Sequence, residues 1–163
     1  MASSGACWHD RLVGLWQAAA ADNARWYDLI ARSHGLSTRA DRQAWTCQSR
    51  TPPLYPDAVT LVPCPSVPDL LGRVDASPGC SVKDSFGALD LGPYGFRILF
   101  QAEWIARPAS EPIMTSGPGW RRIVGPAGLA RWQDAWRRDG GPSDLFGAGT
   151  LDHDRVAVLA GAR

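Results

Sequence analysis

Apolar residues follow a helical period over residues 8–33. They recur there at spacings of about 3.6, with Arg and Asp between them, at Leu12, Leu15, Trp16, Ala19, Trp26 and Ile30. Asp22 and Asn23 can each cap a helix, so the pattern allows one long helix or two shorter ones. Gly35 is typical of a residue that ends a helix. We therefore expect a helical N-terminal segment that stops just before this glycine.

Beyond residue 44 the apolar runs are shorter and are typical of strands. The predicted strands are 45–48, 58–62, 80–86, 96–106, 120–124 and 155–160. Two further helices are predicted, one over 66–74 with Ser66 as its N-cap and one that begins near Pro126. Three prolines in 51–56 predict a rigid, extended segment. The run 96–106 has the strongest strand pattern in the chain.

The order of these elements predicts an α+β fold. N-terminal helices are followed by a mostly antiparallel sheet of about five strands flanked by helices. Residues 1–108 form a helical segment plus a β-α-β-β unit, residues 109–119 form a linker rich in Pro, Ser and Gly, and residues 120–163 form a β-α-β unit packed on the same sheet. A chain of 163 residues is long enough to bury a core.

Composition and charge narrow the classes of partner. The formal net charge is +1 and the basic residues are dispersed, which argues against nucleic acid. The chain has neither the pattern of a signal peptide nor a run of about 20 apolar residues, so we expect no contact with a membrane. The three histidines form no metal-binding motif. His153 lies between two aspartates, an arrangement more typical of a polar loop than of a metal site.

The four cysteines are widely separated and form no CxxC pair. They are Cys7, Cys47, Cys64 and Cys80. This spacing favours buried free thiols in a cytoplasmic protein over a zinc site or a disulfide framework.

Lys83 is the single lysine in a chain that has sixteen arginines. On a solvated surface either residue only has to be positive, so a lone lysine can have a role that arginine does not fill. An ammonium group can lose its proton when it is desolvated, whereas a guanidinium cannot. Lys83 is therefore a candidate catalytic residue, with chance or an ordinary ion pair as the alternative.

Alternation along the predicted strand 80–86 gives Asp84 and Lys83 opposite faces. Asp84 shares its face with two apolar residues, and a carboxyl group in such surroundings is partly desolvated. Asp84 is therefore a candidate general acid or base, with a structural ion pair or a loop cap as the alternative. Ser85 lies on the Lys83 face, so the three residues serve one site only if the strand bulges.

One face of the predicted strand 96–106 carries polar residues in a row. Arg97, Gln101 and Glu103 alternate there with bulky aliphatic side chains, while the other face is apolar. Such a face is typical of a pocket floor with a few convergent polar groups, which makes Glu103 a candidate catalytic residue. A half-exposed sheet face with a salt bridge is the alternative.

Eight tryptophans are many for this length. Large indoles fill a core, and several of these lie at helical spacing. A stacking wall for a flat aromatic or cationic ligand is the alternative. On that second interpretation, the predicted substrate-binding residues are Arg97, Gln101, Trp104, Tyr55 and Ser85.

Several stretches of the chain resemble one known group of proteins. They are TPPLYPDAVTL, SVKDSF, LDL and GFRILFQAEWIARP, followed by WRRIV, LARWQDAW and LDHDRVAVLAG. These motifs resemble the front portion of actinobacterial GNAT-type N-acetyltransferases, up to the β-α-β entry of the acetyltransferase domain. The resemblance covers most of the chain and implies an incomplete GNAT fold. It carries over no catalytic residue.

The resemblance does not extend to the acyl-CoA-binding half of a GNAT enzyme. Such an enzyme holds the pyrophosphate of acyl-CoA on backbone amides of a Q/RxxGxG/A-type loop. No such loop occurs before the sequence ends at Arg163. We therefore expect no acetyl-CoA binding in the GNAT manner and no cofactor. The chain is then either a fragment or a stand-alone relative with another use.

Three functions are compatible with these features. The first is a stand-alone small-molecule enzyme of specialised metabolism, with carboxylate acid/base chemistry in a Trp-lined pocket. It would act on an aromatic or amine-bearing molecule, for example in a condensation or cyclisation of the Pictet–Spengler kind. The second is the N-terminal fragment of a GNAT-like acyltransferase, inactive alone. The third is a non-catalytic binding or dimerisation module. A truncated sheet leaves an unpaired edge, so we also expect a homodimer.

Overall fold

The computed structural model describes residues 5–105, 110–111, 119–137, 140, 144–154 and 156–161. The chain divides into two compact units, Met1–Trp104 and Ile105–Arg163. Both units contain helix and strand, which confirms the predicted α+β class. Each has its own sheet and its own buried residues. Most of the predicted linker, residues 109 and 112–118, lies outside the described part of the chain.

The first unit begins with one long helix, α1 (Gly5–Ser33). The helix continues through Asn23, so neither predicted capping residue divides it. It ends as predicted, because Gly35 adopts a φ of 74° and the N–H of Leu36 donates to the carbonyl of Ala31 at 3.0 Å. Across the described ranges, no helix combines the length and the apolar character needed to span a bilayer.

Four short strands of the first unit form a mixed sheet in sequence order. The strands are β1 (Thr38–Ala40), β2 (Ala44–Cys47), β3 (Ala58–Thr60) and β4 (Val82–Lys83). The first two pairings are antiparallel, and β3 pairs with β4 in parallel. A parallel pair needs a crossover, and residues 61–81 supply it, with helix α2 (Val67–Leu71) on the way. Ser66 occupies the predicted N-cap position without a side-chain capping bond.

Both faces of this sheet are covered by apolar residues. The face toward α1 buries Ala24, Ala31, Trp45, Cys47 and Val59, with Tyr27, Leu36 and Leu61 partly buried beside them. The face toward α2 buries Ala44, Ala58 and Leu70, with Val74, Val82 and Leu89 beside them. Burial on both faces explains why these short strands read as continuous apolar runs.

The second unit has a smaller sheet of its own. Strand β5 (Trp120–Arg122) pairs with β6 (Leu159–Gly161) in antiparallel fashion, and helix α3 (Gly125–Arg137) lies between them in sequence. Buried apolar residues of this unit include Leu129, Leu145 and Val158. The predicted β-α-β order is observed. However, its strands form a two-stranded sheet and do not continue the four-stranded one.

The predictions of the sheet and of two strands need correction. The described strands form sheets of four and two, and the larger sheet is mixed, so a single mostly antiparallel sheet of about five strands is wrong. The predicted strand 80–86 shortens to β4 because the N–H of Ser85 donates to the Thr60 hydroxyl at 2.8 Å and leaves the ladder.

The predicted strand 96–106 is wrong over its described residues, 96–105. No strand is present there, and Ile98, Phe100 and Ile105 are 79%, 80% and 96% exposed. Alternating apolar residues favour a strand only when a partner edge and a covering layer exist. Within the described part of the chain, no backbone hydrogen bond joins residues 97–105 to a strand.

Candidate functional site

Lys83 lies at the end of β4 on the face of the sheet that packs against α1. Its partner across the parallel pairing is Val59, which belongs to the core beneath α1, whereas Val82 belongs to the opposite face. Successive side chains of a strand point to opposite faces. The register of β3 and β4 therefore directs Lys83 toward Asn23 and Tyr27 of α1.

The ammonium group of Lys83 is held by one amide oxygen and two aromatic rings. Its Nζ donates to Asn23 Oδ1 at 2.6 Å. It lies 4.6 Å from the ring centroid of Trp104 and 5.7 Å from that of Tyr27, both within the range of cation–π attraction. We call these four residues the Lys83 site: Lys83, Asn23, Tyr27 and Trp104.

The Lys83 site provides no counter-ion for its cation. Among the residues that the structure describes, no carboxylate lies within ion-pair distance of Lys83. Partial burial lowers the pKa of Lys83 below the ordinary lysine value, and no neighbouring charge opposes this effect. Lys83 therefore loses its proton at a lower pH than a solvated lysine does.

Tyr27 of the Lys83 site and its neighbour Tyr55 remain protonated. Burial raises the pKa of Tyr27, although a side-chain hydrogen bond with Asn23 opposes the rise. Burial and the adjacent Tyr27 raise the pKa of Tyr55 to about 12. The two rings meet edge to face, with 5.9 Å between their centroids. Both hydroxyl groups therefore stay protonated at neutral pH, and the ring of Tyr27 also faces the Lys83 amine.

The surrounding structure fixes both rings of the site. The indole N–H of Trp104 donates to the carbonyl of Ser85 at 2.9 Å, which ties the ring to the residue two positions after Lys83. Tyr27 packs against Trp45, whose own indole donates to Asp28 Oδ1 at 3.1 Å. Asn23 and Tyr27 are four residues apart and so share one face of α1. Trp45 is buried core, as the first interpretation of the tryptophans predicts. Trp104 is half-buried and faces the ammonium group of Lys83, and its stacking on a ligand stays a prediction.

Asp84 belongs to a different environment from Lys83. One carboxylate oxygen accepts from the Thr60 hydroxyl at 3.2 Å and from the N–H of Phe86 at 3.1 Å, and the other accepts from the N–H of Leu89 at 2.8 Å. These bonds organise the turn that follows β4. The geometry therefore favours the loop-cap interpretation of Asp84 over the general acid or base.

Ser85 contributes its backbone to the site. Its N–H is held by Thr60 and its carbonyl orients Trp104. The hydroxyl is buried and has no hydrogen-bond partner among the residues described. Its predicted contact with a substrate thus stays a prediction.

The polar row predicted on 96–106 is not assembled. Arg97, Gln101 and Glu103 are exposed and lie on a segment that is not a strand. Without the pleat, nothing places their side chains on one face. The structure therefore places Trp104 and Tyr27 against Lys83 and Tyr55 against Tyr27. Within the described residues, Glu103 is not within ion-pair distance of Lys83.

Asn23 and Tyr27 have no direct signal in the sequence. Asn23 is typical of a helix cap, and Tyr27 falls between the apolar positions of the helical period. Their spacing of four residues on a predicted helix is the signal that could have paired them. A contact with Lys83, sixty residues away in sequence, becomes visible only with the fold.

A second charged group, Asp57, is surrounded by donors. It precedes β3 and is 2% exposed. Its carboxylate accepts from Arg50 at 2.9 Å, from the N–H of Thr51 at 2.8 Å, from the Thr51 hydroxyl at 3.0 Å and from the N–H of Ser81 at 3.0 Å. These bonds anchor the proline-rich segment and the start of β4 to one buried point.

The cysteines and acidic residues suggest no metal centre in the described ranges. Cys47, Cys64 and Cys80 are free thiols, but the predicted burial holds only for Cys47, since Cys80 is partly buried and Cys64 is exposed. The side chain of Cys7 lies outside the described part. Burial raises the pKa of the Cys47 and Cys80 thiols, which makes them less reactive. No group of three or more His, Cys, Asp or Glu residues in these ranges could hold a metal ion.

No protein-family model, curated protein or solved structure matches this chain. The function must therefore be argued from the geometry of the Lys83 site.

Proposed function

We propose that the first unit is a small-molecule enzyme in which Lys83 acts as the proton acceptor. The observation that carries this proposal is the half-buried amine between two aromatic rings, without a carboxylate partner among the described residues. A structural lysine normally pairs with an acid or extends into solvent. Perturbed titratable groups of this kind concentrate at functional sites.

The geometry shifts the proposed chemistry away from the two carboxylates. A condensation or cyclisation needs groups that accept and donate protons, but Glu103 is exposed and the Asp84 carboxylate is held by the turn after β4. Lys83 offers an amine, and Tyr27 and Tyr55 offer hydroxyl groups that remain protonated. An amine base with nearby phenolic donors is sufficient for proton transfer at carbon.

The site favours a neutral or anionic ligand over an amine. An ammonium group has three donors, and within the described residues only Asn23 accepts from Lys83. A carbonyl or carboxylate oxygen could accept from the others. The aromatic faces are already occupied by the cation of Lys83, so an ammonium ligand would meet repulsion. Of the two expected ligand classes, the aromatic molecule is therefore better suited than the amine.

A generic proton-abstraction probe tests this proposal. The flat, neutral compound 5-nitrobenzisoxazole loses its ring C–H proton to a base, the N–O bond breaks, and a coloured nitrophenolate forms. A desolvated amine should accelerate this reaction. We expect Lys83→Met to lower the rate by about 10–100-fold while the circular dichroism spectrum is retained, in keeping with the loss of a general base.

Two matched variants separate this mechanism from the carboxylate one. Glu103→Gln should keep the wild-type rate, because Glu103 is exposed and lies off the site. Asp84→Asn should be less stable, because Asp84 caps a turn. Its rate should fall only as far as the fraction of folded protein falls. Equal rates for wild type and Lys83→Met would reject Lys83 as the base.

A second candidate function, a dimerisation module, is supported by the exposed segment 96–105. It exposes the apolar side chains Ile98, Leu99, Phe100 and Ile105, and its backbone pairs with no strand in the described part of the chain. Such a segment can add to the sheet of a second copy. We expect a homodimer by light scattering, and Phe100→Asp should convert it to a monomer. A wild-type monomer at high concentration would exclude this mode of association.

Common ancestry with GNAT-type acetyltransferases remains a proposal. A cytoplasmic location is a separate proposal. The Lys83 site requires neither acetyl-CoA nor another cofactor, because amine and phenol groups supply its chemistry. A reducing compartment would suit the free thiols Cys47, Cys64 and Cys80.

A further inference from the structure

We propose that Lys83 captures aldehydes and ketones covalently, as a Schiff base with its side-chain amine. This inference deepens the proposed function and rests on it: it names carbonyl compounds as the ligand class and gives the amine a second role, as a nucleophile. It stands on the placement of the amine, on the chemistry of both neighbouring rings and on the acceptor provided by Asn23.

The amine has the access to a neutral form that nucleophilic attack requires. Only an unprotonated amine attacks a carbonyl carbon, and an adjacent carboxylate would hold the proton on the nitrogen. In the described part of the chain Lys83 has no such carboxylate, and its surroundings are the Asn23 amide and two aromatic rings. Desolvation of an amine in apolar surroundings is a recognised means of activating it.

The reaction balances with groups that the site already holds. The amine nitrogen attacks the carbonyl carbon, the carbonyl oxygen takes a proton, and a carbinolamine forms. The C–O bond then breaks, the oxygen leaves as water, and a C=N bond forms. A phenolic O–H of Tyr27 or Tyr55 can lend the proton to the oxygen and recover one from the nitrogen.

The site that holds the ammonium can also hold the product. A protonated Schiff base is a cation with one N–H, as the ammonium is a cation with three. The faces of Trp104 and Tyr27 attract either cation, and Asn23 Oδ1 can accept from either N–H. The conversion therefore keeps the attractive contacts of the amine and needs no new counter-ion.

Reductive trapping tests the proposal on the intact protein. Benzaldehyde is the probe, and sodium borohydride delivers hydride to the carbon of any C=N bond, which leaves a stable benzyl group on nitrogen. The chain contains one lysine, so Lys83 and the α-amino group of the chain terminus are its only primary amines. Intact mass gives the number of benzyl groups, and peptide mapping assigns each to one of the two amines.

The terminal amine provides an internal reference. In urea the terminal amine, with a pKa of about 8, should be trapped in preference to a lysine with a pKa of about 10.4. In the folded protein at neutral pH we expect the ratio of Lys83 label to terminal label to rise several-fold over the ratio in urea, because the site desolvates the Lys83 amine and holds the cationic product. This comparison uses the wild type in two solvents and does not depend on the folding of any variant.

Variants then assign the effect to the site. Lys83→Arg keeps the charge but should lose the internal benzyl group completely, since a guanidinium does not form the product. Trp104→Leu removes one cation-binding face, and its ratio of Lys83 to terminal label should fall by several-fold. An unchanged ratio would reject the role assigned to the aromatic faces.

The outcomes separate this proposal from the one on which it rests. Trapping at the terminal amine alone, or the same ratio in buffer and in urea, would overturn the Schiff base. If the benzisoxazole reaction still depended on Lys83 in that case, the amine would be a base and not a nucleophile. If Lys83 is trapped but that reaction does not depend on it, the covalent role stands and the base role falls.

Discussion

The two charged groups Asp57 and Lys83 lie at neighbouring strands of one sheet, Asp57 just before β3 and Lys83 in β4. They differ in how completely the protein satisfies their charge. Asp57 is almost fully buried and accepts four hydrogen bonds, one of them in an ion pair with Arg50. Lys83 is half-buried and has one amide oxygen and two rings. A buried charge that is fully satisfied stabilises structure, whereas one that is incompletely satisfied retains chemical reactivity.

The position of each charge explains its role. Asp57 lies before β3, where the N–H groups of Thr51 and Ser81 are outside the strand ladders and need acceptors. Lys83 lies within β4, where the backbone is already paired with β3, so the backbone there needs no hydrogen bond from the lysine side chain. The comparison therefore predicts different costs when each side chain is removed.

The largest effect is expected for Asp57→Ala. The change leaves the N–H groups of Thr51 and Ser81 without their acceptor and removes the carboxylate partner of Arg50 Nη1. Breaking a buried pair in this way should cost about 3 kcal/mol of unfolding free energy. For a unit of this size the melting temperature should then fall by more than about 10 °C.

A rim residue of the same network provides the control. Asp75 also pairs with Arg50, at 3.5 Å, but it is exposed. Asp75→Asn should leave the melting temperature unchanged within error, since solvent replaces the lost pairing. If Asp57→Ala melted like this control, Asp57 would not be the anchor described here.

The sequence predicted the elements whose signals are local. The period of α1, the stop at Gly35 and the apolar strands β2 and β3 depend on residues that are close along the chain. The uniqueness of Lys83 is also a property of composition alone. These features could be read without knowledge of what packs against them.

The features that depend on distant partners were missed or misjudged. Residues 96–105 have the alternation of a strand, but the described sheet ends at β4 without pairing them. The predicted shared face of Glu103 and Arg97 depends on the pleat of a strand, and no strand is present over residues 96–105. Asn23 meets Lys83 only because β4 runs parallel to β3 beneath α1. Pairing partners of this kind follow from topology, which local patterns do not specify.

The smallest effect concerns the pH dependence of stability. Burial lowers the pKa of Lys83 in the folded state relative to the unfolded chain. Between those two pKa values the unfolded state binds more protons, so the free energy of unfolding rises with pH. Below the folded-state pKa the amine is charged in both states, and its unfavourable desolvation is fully present. That cost begins to fall as the pH rises through the folded-state pKa, and it is gone above the unfolded-state pKa.

Unfolding measurements on wild type and Lys83→Met should reveal this contribution. As the pH rises toward the ordinary lysine pKa of about 10.4, the stability of the wild type should rise relative to that of the variant. Tyr27 and Tyr55 do not account for the change, because their pKa values are raised, that of Tyr55 to about 12, and both proteins contain them.

Lys83→Arg is the matched control, because arginine stays charged over the whole pH range. The stability of the wild type should rise with pH relative to this variant as steeply as it does relative to Lys83→Met. With lysine labelled at its ε-carbon, the folded protein should also give one resonance, because the chain has one lysine. Its titration midpoint should lie below the midpoint measured in urea. Coincident midpoints, together with stability differences that do not change with pH, would show that Lys83 is an ordinary solvated lysine. The contrast with Asp57 would then rest on hydrogen bonding alone.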